Sequence, residues 1–166
     1  MNLNTEACDN NKTSENMMNQ TANKAFRLLI VDDNPGDVLL TIEAFKESKF
    51  KDNISVAVAN DGETALAMLR KEQDYVDFVL PDFILLDLNM PGLSGTAVLE
   101  NIKSDQSLKR IPVIIMSSSK ANQDIQNSYD KHANSYIVKP ATVSQYAEMV
   151  EKVESFWLDI AALPNK

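Results

Sequence analysis

Residues 83–92 read FILLDLNMPG: four apolar residues, Phe83 to Leu86, then Asp87, then a turn centred on Pro91-Gly92. A short apolar run bounded by turn residues is the pattern of a strand buried on both faces. The same unit recurs on either side. Upstream, FRLLIV (26–31) stops at Asp32-Asp33-Asn34-Pro35-Gly36. Pro35 can open a helix that carries Val38, Leu39, Ile42 and Phe45 at helical spacing. ISVAVA (54–59) is β-branched, and Asn60 with Glu63 has the spacing of a capping box ahead of Ala65, Leu66, Met68 and Leu69. Downstream come a helix with Ala97, Val98, Leu99 and Ile102, then VIIM (113–116) running into Ser117-Ser118-Ser119. A polar helix around Ile125 and Tyr129 precedes Tyr136-Ile137-Val138, which ends at Lys139-Pro140. The last helix carries Val143, Tyr146, Val150, Val153 and Trp157 in one stripe. Five βα units imply an α/β fold, a doubly wound parallel sheet covered on both faces.

Composition bounds what such a domain can do. The chain has 166 residues, 44% of them hydrophobic, which suits one packed core. Sixteen Lys and Arg against 24 Asp and Glu leave a net charge of −8, so binding nucleic acid by neutralising phosphates is not expected. The single cysteine, Cys8, excludes an internal disulfide and a Cys-based zinc site. No stretch reaches the roughly 18 apolar residues of a membrane span, and no basic-then-apolar leader opens the chain. A soluble, cytoplasmic protein is expected. Residues 1–24 contain seven asparagines and no aromatic, and read as a disordered tail. Residues 25–166 read as the folded domain.

In open α/β sheets, ligands bind outside the carboxyl ends of the strands. Here those ends carry Asp32 and Asp33, Asp87, Ser117 and Lys139, so three carboxylates, a hydroxyl and an ammonium converge on one edge. Carboxylates this close repel unless a cation neutralises them. Oxygen ligands without sulfur favour Mg²⁺. A carboxylate beside a divalent ion, facing a lysine and a hydroxyl, is equipped to attack a phosphoryl group in line and become an aspartyl phosphate. Taken singly, Asp32 and Asp33 would suit a helix cap, Asp87 a turn, and Lys139 and Ser117 surface loops. Their common position at strand ends is what argues for chemistry. His132, the one histidine, reads as a solvated residue near a helix terminus rather than a phosphoryl donor.

Asp32-Asp33, PDFILLDLNMPGLSG around Asp87, IPVIIMSSS ending at Ser117 to Ser119, and YIVKP at Lys139-Pro140 together resemble the receiver domain of two-component response regulators. The resemblance covers about Phe26 to Leu163. It implies the strand order 2-1-3-4-5 and a protein that accepts a phosphoryl group from a sensor histidine kinase, in a Mg²⁺-dependent phosphorelay, without being an enzyme in its own right. It implies Asp87 as phosphoacceptor, Asp33 as a direct metal ligand, Asp32 as a ligand through water, and the backbone carbonyl of Asn89 as a further ligand. Ser117 becomes the switch hydroxyl, Tyr136 the switch aromatic, and Lys139 the phosphate partner ahead of a cis Pro140. The long stretch RKEQDYVDFVLP (70–81) and the ending FWLDIAALP (156–164) narrow the likeness to small regulators paired with bacterial phytochromes. Ser117 in place of the commoner threonine, and Ala141 in place of a bulkier apolar residue, depart from the usual pattern.

Alternative readings use the same fold. An FMN-binding flavodoxin-like protein needs a hydroxyl-rich loop after the first strand, where this chain is acidic. A small aspartyl-phosphate phosphatase wants two aspartates flanking one residue, where Asp87-Leu88-Asn89 offers asparagine. A calcium loop starting at Asp32 has Asp37 where its glycine belongs. The sequence ends shortly after the last helix, so the output is expected to be a protein contact. The fourth helix has only Ile125 and Tyr129 as large apolar anchors. Met149 and Phe156 fall outside the main stripe of the fifth, which at 1.5 Å per residue extends for about 28 Å from Val143 to Ala161. A homodimer through the face of helix 4, strand 5 and helix 5 is therefore expected.

Overall fold

A computed structural model describes residues 25–164. Five parallel strands, β1 (Phe26–Val31), β2 (Ile54–Ala59), β3 (Phe83–Leu86), β4 (Val113–Ser117) and β5 (Ser135–Val138), lie in the order β2-β1-β3-β4-β5. They alternate with helices α1 (Pro35–Lys46), α2 (Gly62–Arg70), α3 (Gly95–Ser104), α4 (Asn122–Asp130) and α5 (Val143–Glu154). The period-two alternation of the strands divides the core. Leu29, Val31, Ile84, Leu86, Val113 and Ile115 pack on the face covered by Leu66 and Leu69 of α2 and Val98, Leu99 and Ile102 of α3. Leu28, Ile30, Phe83, Leu85, Ile114 and Met116 face Val38 and Phe45 of α1 and Tyr146, Val150 and Val153 of α5. Each such side chain, fully removed from water, contributes about 1.5–3 kcal/mol.

The helix ends follow local chemistry, with some departures from the sequence reading. Asn34 caps α1 through its side chain, accepting from Gly36 N and Asp37 N, with Pro35 as the first helical residue. The cap of α2 is Asp61, not Asn60: Asp61 Oδ1 accepts from Thr64 N at 2.6 Å. Glu63 is then free to reach the next loop, where its carboxylate accepts from Leu93 N. Lys71 and His132 end α2 and α4 in left-handed backbone, φ 57° and 66°. In each case the following residue's amide bonds a carbonyl five positions back, Glu72 to Ala67 and Ala133 to Ser128. His132 is thus the residue that terminates its helix. The connection after Lys71 holds a short 3₁₀ turn (Gln73–Tyr75).

Three apolar positions differ from expectation. Leu39 and Val143 are exposed, since α1 and α5 turn those positions outward, whereas Met149 is buried and belongs to the core. Phe156 is exposed, as the second-stripe reading expects. Its ring stands edge-on to Trp157, with 5.1 Å between ring centroids. The final helix runs on past Glu154 as a wider π-type segment (Ser155–Ile160), closed by the Ala161 amide on the Phe156 carbonyl. No cis peptide occurs among the described residues, so Lys139-Pro140 is trans, the form the X-Pro bond favours by about 0.5–1 kcal/mol. The reading of residues 1–24 as a tail lies outside the described residues.

Gly95 sets how closely α3 approaches the β3 end. A Cβ there would stand 1.8 Å from the Asp87 carbonyl oxygen. Gly95→Ala is therefore expected to destabilise the fold by about 3 kcal/mol, through forced separation of these backbones. Urea denaturation should show a lower midpoint with an unchanged slope.

Candidate functional site

The sheet ladder continues one residue past the strands and brings the acidic residues together. Asp32 N donates to the Ala59 carbonyl at 3.1 Å, Asp87 N to the Val31 carbonyl at 2.9 Å, and Lys139 N to the Ser117 carbonyl at 2.8 Å. Asp32 and Asp87 thus stand at the ends of adjacent strands. Carboxylate oxygens of Asp32, Asp33 and Asp87 lie within 4.8 Å of one another; Asp32 and Asp87 are buried and Asp33 is exposed.

Lys139 reaches back over this cluster from the end of β5. Its Nζ is 2.8 Å from Asp32 Oδ2, 2.8 Å from Asp37 Oδ2 and 2.7 Å from Asp87 Oδ2. Burial opposes its charge, but hydrogen bonds to Asp32, Asp37 and Asp87 outweigh it and hold the ammonium above the ordinary lysine range. Burial pushes the Asp32 carboxyl up, countered by Lys139 and by the Asn34 amide, which donates to Asp32 Oδ1 at 2.9 Å. Asp32 Oδ2, although in ion-pair contact with Lys139, is buried without an aligned hydrogen-bond donor. An under-satisfied buried oxygen beside two more carboxylates fits a hard divalent cation such as Mg²⁺.

The remaining expected residues lie one step outward. Asp87 Oδ1 accepts from Asn89 N at 3.0 Å, so Asn89 folds back over the site. Ser117 is fully buried, and its Oγ accepts from Asn89 Nδ2 at 3.1 Å and from Ser119 N at 3.3 Å. Tyr136 is half-buried and donates its hydroxyl to the Ser119 carbonyl at 3.0 Å. Asp32, Asp33, Asp87 and Lys139 therefore form one cluster. Ser117 joins it through Asn89, and Tyr136 through Ser119.

Two residues in this network carried no site role in the sequence reading. Asp37 pairs with Lys139 and also accepts from the Tyr146 hydroxyl at 3.1 Å. The available signals were an acid four residues after Asp33, one helical turn on, and a tyrosine in an otherwise aliphatic stripe, whose hydroxyl needs a partner once buried. Tyr146 is pushed up to about 12, first by burial and then by the charge and hydrogen bond of Asp37.

The profile of the response regulator receiver domain matches residues 28–151, and the chain belongs to that family. It is similar to the response regulator Rcp1 of Synechocystis sp., 35% identical over 147 residues, which are 89% of this chain and 99% of that protein. Among solved structures, the phosphorylated cyanobacterial phytochrome response regulator RcpA superposes with a TM-score of 0.80 at 44% identity, over 87% of this chain and 100% of that one. The Mn²⁺-bound form of Rcp1 superposes with a TM-score of 0.78 at 36% identity, over 84% and 99%. The receiver fold and the strand order expected from the sequence are the observed ones. Among the described residues no helix is long and apolar enough to cross a membrane.

Lys139 is the one cation touching Asp32, Asp37 and Asp87 among the described contacts. Lys139→Ala is expected to cost about 3–5 kcal/mol of stability at neutral pH, because it leaves buried carboxylates unpaired. Burial already pushes the Asp32 carboxyl up, and removing the ammonium that counters it leaves its folded-state pKa further above the unfolded one. The variant should therefore recover stability as pH falls into the carboxylate range. Denaturation midpoints of wild type and variant at neutral and acidic pH would check both statements.

Proposed function

We propose that the chain accepts a phosphoryl group onto Asp87 from the phosphohistidine of a sensor histidine kinase, with a phytochrome-type sensor as the kinase. The observation that carries this is the Lys139 ammonium held 2.7 Å from Asp87 Oδ2, inside a cluster of carboxylates that fits a divalent cation. An oxygen of Asp87 attacks phosphorus and forms an acyl-phosphate O–P bond. The P–N bond to the kinase imidazole breaks, and its electron pair stays on the ring nitrogen. Asp33 would hold Mg²⁺ directly and Asp32 through water, with Asp87 and the Asn89 carbonyl completing the protein's share of the ligands; when bound, Mg²⁺ would supply charge neutralisation at the transferring oxygens. Lys139 binds a phosphoryl oxygen from the other side, and Ser117 donates to another.

The same chemistry supports self-phosphorylation from acetyl phosphate, with acetate as leaving group, and slow hydrolysis of the product by water. Similarity to RcpA, a phytochrome response regulator seen phosphorylated, and to Rcp1, seen with Mn²⁺, supports the donor and the metal. In this role the protein works in the cytoplasm, where phosphoryl donors are made. The FMN-binder and phosphatase alternatives lack a comparable supporting observation.

Phosphorylation then biases a two-state element: Ser117 moves toward the phosphoryl group and Tyr136 fills the space it leaves. Output passes to a second copy of the chain through α4, β5 and α5. Supporting this surface, Tyr129, Val138 and Phe156 are exposed, and a groove of about 420 Å³ runs between β5 and α5 beside Phe156. Met149 is buried, so of the two residues outside the expected stripe only Phe156 offers this surface an exposed side chain.

Acetyl phosphate with Mg²⁺ is expected to label the wild type, and Asp87→Asn or excess EDTA to abolish labelling, read by intact-protein mass. Full labelling of Asp87→Asn would overturn the assignment. Phe156→Glu is expected to weaken self-association by about tenfold or more, as loss of a central aromatic anchor does, without changing Asp87 labelling. Sedimentation with and without a phosphoryl mimic measures this, and a wild type that stays monomeric in both states would refute the homodimer.

A further inference from the structure

We infer that Asp37 and Tyr146 form a relay that carries the charge change at Asp87 to α5, by a route separate from Ser117 and Tyr136. The inference rests on Asp87 being the phosphoacceptor. A lysine ammonium has three donors and no acceptor. Here it donates to Asp37 and Asp87 and lies in ion-pair contact with Asp32. Asp32 and Asp87 belong to the acidic pocket; Asp37 lies outside that cluster, in the first turn of α1. Its second oxygen accepts from the Tyr146 hydroxyl. Tyr146 is only 2% exposed, so water is not an alternative partner for that hydroxyl. Asp87, Lys139, Asp37 and Tyr146 therefore make one continuous chain of polar contacts. It runs from the end of β3, across the ends of β5 and α1, to the first turn of α5.

Phosphorylation alters the first link. The Asp87 oxygen now paired with Lys139 becomes part of an acyl phosphate, and the negative charge moves outward onto the phosphoryl oxygens. Lys139 follows that charge outward, away from the carboxylates of Asp32 and Asp37. Asp37 is the partner with an alternative, because its side chain is 23% exposed and can take water. Once released from Lys139, Asp37 no longer holds its carboxylate aligned on Tyr146, and the first turns of α5 loosen. The far end of α5 stays fixed: Ser48 Oγ donates to Glu154 Oε1 at 2.6 Å, and Lys49 pairs with Asp159 at 2.6 Å. Loosening at one end with anchorage at the other makes α5 pivot on its Glu154 end, beside the groove that reaches Phe156.

The test is amide hydrogen exchange, read by mass spectrometry on the full chain with and without beryllofluoride, an analogue of the phosphoryl group. Binding of the analogue at Asp87 is confirmed separately by fluorine NMR. In wild type, exchange across residues 143–150 is expected to rise about fivefold on binding, the lower range of allosteric coupling. In Tyr146→Phe, which keeps the buried ring, exchange there is expected to be fast already and to change less than twofold, a state-insensitivity that general loss of packing does not produce. Asp37→Asn is expected to be equally unresponsive, since the neutral amide still accepts from Tyr146 but no longer answers to Lys139. In both variants the response at residues 117–119 should persist. Wild-type-sized responses in α5 of the bound variants, or none in α5 of the bound wild type, would overturn the relay. Failure of wild type to bind the analogue would instead overturn the phosphoacceptor reading beneath it.

Discussion

The Lys139 ammonium, nearly buried, meets carboxylates carried by the end of β1, the first turn of α1 and the end of β3. Burial favours the neutral form of the Asp32 carboxyl, and the Lys139 ammonium opposes that push. Burying the ion pairs is of doubtful benefit to stability, yet breaking them is costly. The arrangement is therefore better understood as a device for holding charge ready than as a brace. Its weak point is built in: Asp32 Oδ2 has an ion-pair contact but no aligned donor, so the pocket is under-satisfied until a cation and a phosphoryl group complete it.

The parallel sheet makes that concentration of charge possible. Each strand delivers its C-terminal residue to the same edge, and the ladder bonds from Asp87 to Val31 and from Lys139 to Ser117 fix those residues in register rather than leaving them to loop conformation. Close approach of α3, which needs Gly95, seals the Asp87 backbone from one side. Asn89 seals it from another, by bonding Asp87 Oδ1 with its amide and Ser117 with its side chain.

Most of this was legible in the sequence, because the strands are unbroken apolar runs and the charged residues follow them directly. FRLLIV, ISVAVA and FILL coincide with β1, β2 and β3 to the residue. What stayed hidden depends on partners distant in sequence. Asp37 reads as one more acid in a polar helix start, and only the fold brings Lys139, 102 residues away, to its side chain. Tyr146 fits an apolar stripe, and nothing local announces that its hydroxyl has an acceptor 109 residues earlier. Met149 shows the opposite limit. It stands three residues after Tyr146 and four before Val153, so helical spacing itself carries it into the core, whereas the sequence reading sets it off the stripe. The shift of the α2 cap from Asn60 to Asp61 is a one-residue ambiguity between two good caps.

The two flanks of the site differ in how firmly they are held, and this decides what each can do. On one flank α1 and α5 pack directly together and are tied at both ends, by Asp37 with Tyr146 near the site and by Ser48 with Glu154 away from it. Burial holds the Glu154 carboxyl above the usual range, and the hydrogen bond that Ser48 donates to it, with the charge of Lys49, counters that push. On the other flank α4 buries only Ser128, has no side-chain cap at its start, and ends at a strained His132. A helix with so few buried contacts opens at low cost and suits large local rearrangement. A helix pair fastened at two points keeps its packing while both ties hold, and release of one leaves the other as a pivot. Because α5 belongs to the doubly tied flank and also borders β5 and Phe156, the relay proposed above would carry the event at Asp87 to the exposed face as a tilt about the Glu154 end, whereas the sparsely buried α4 is built to respond by a change in order.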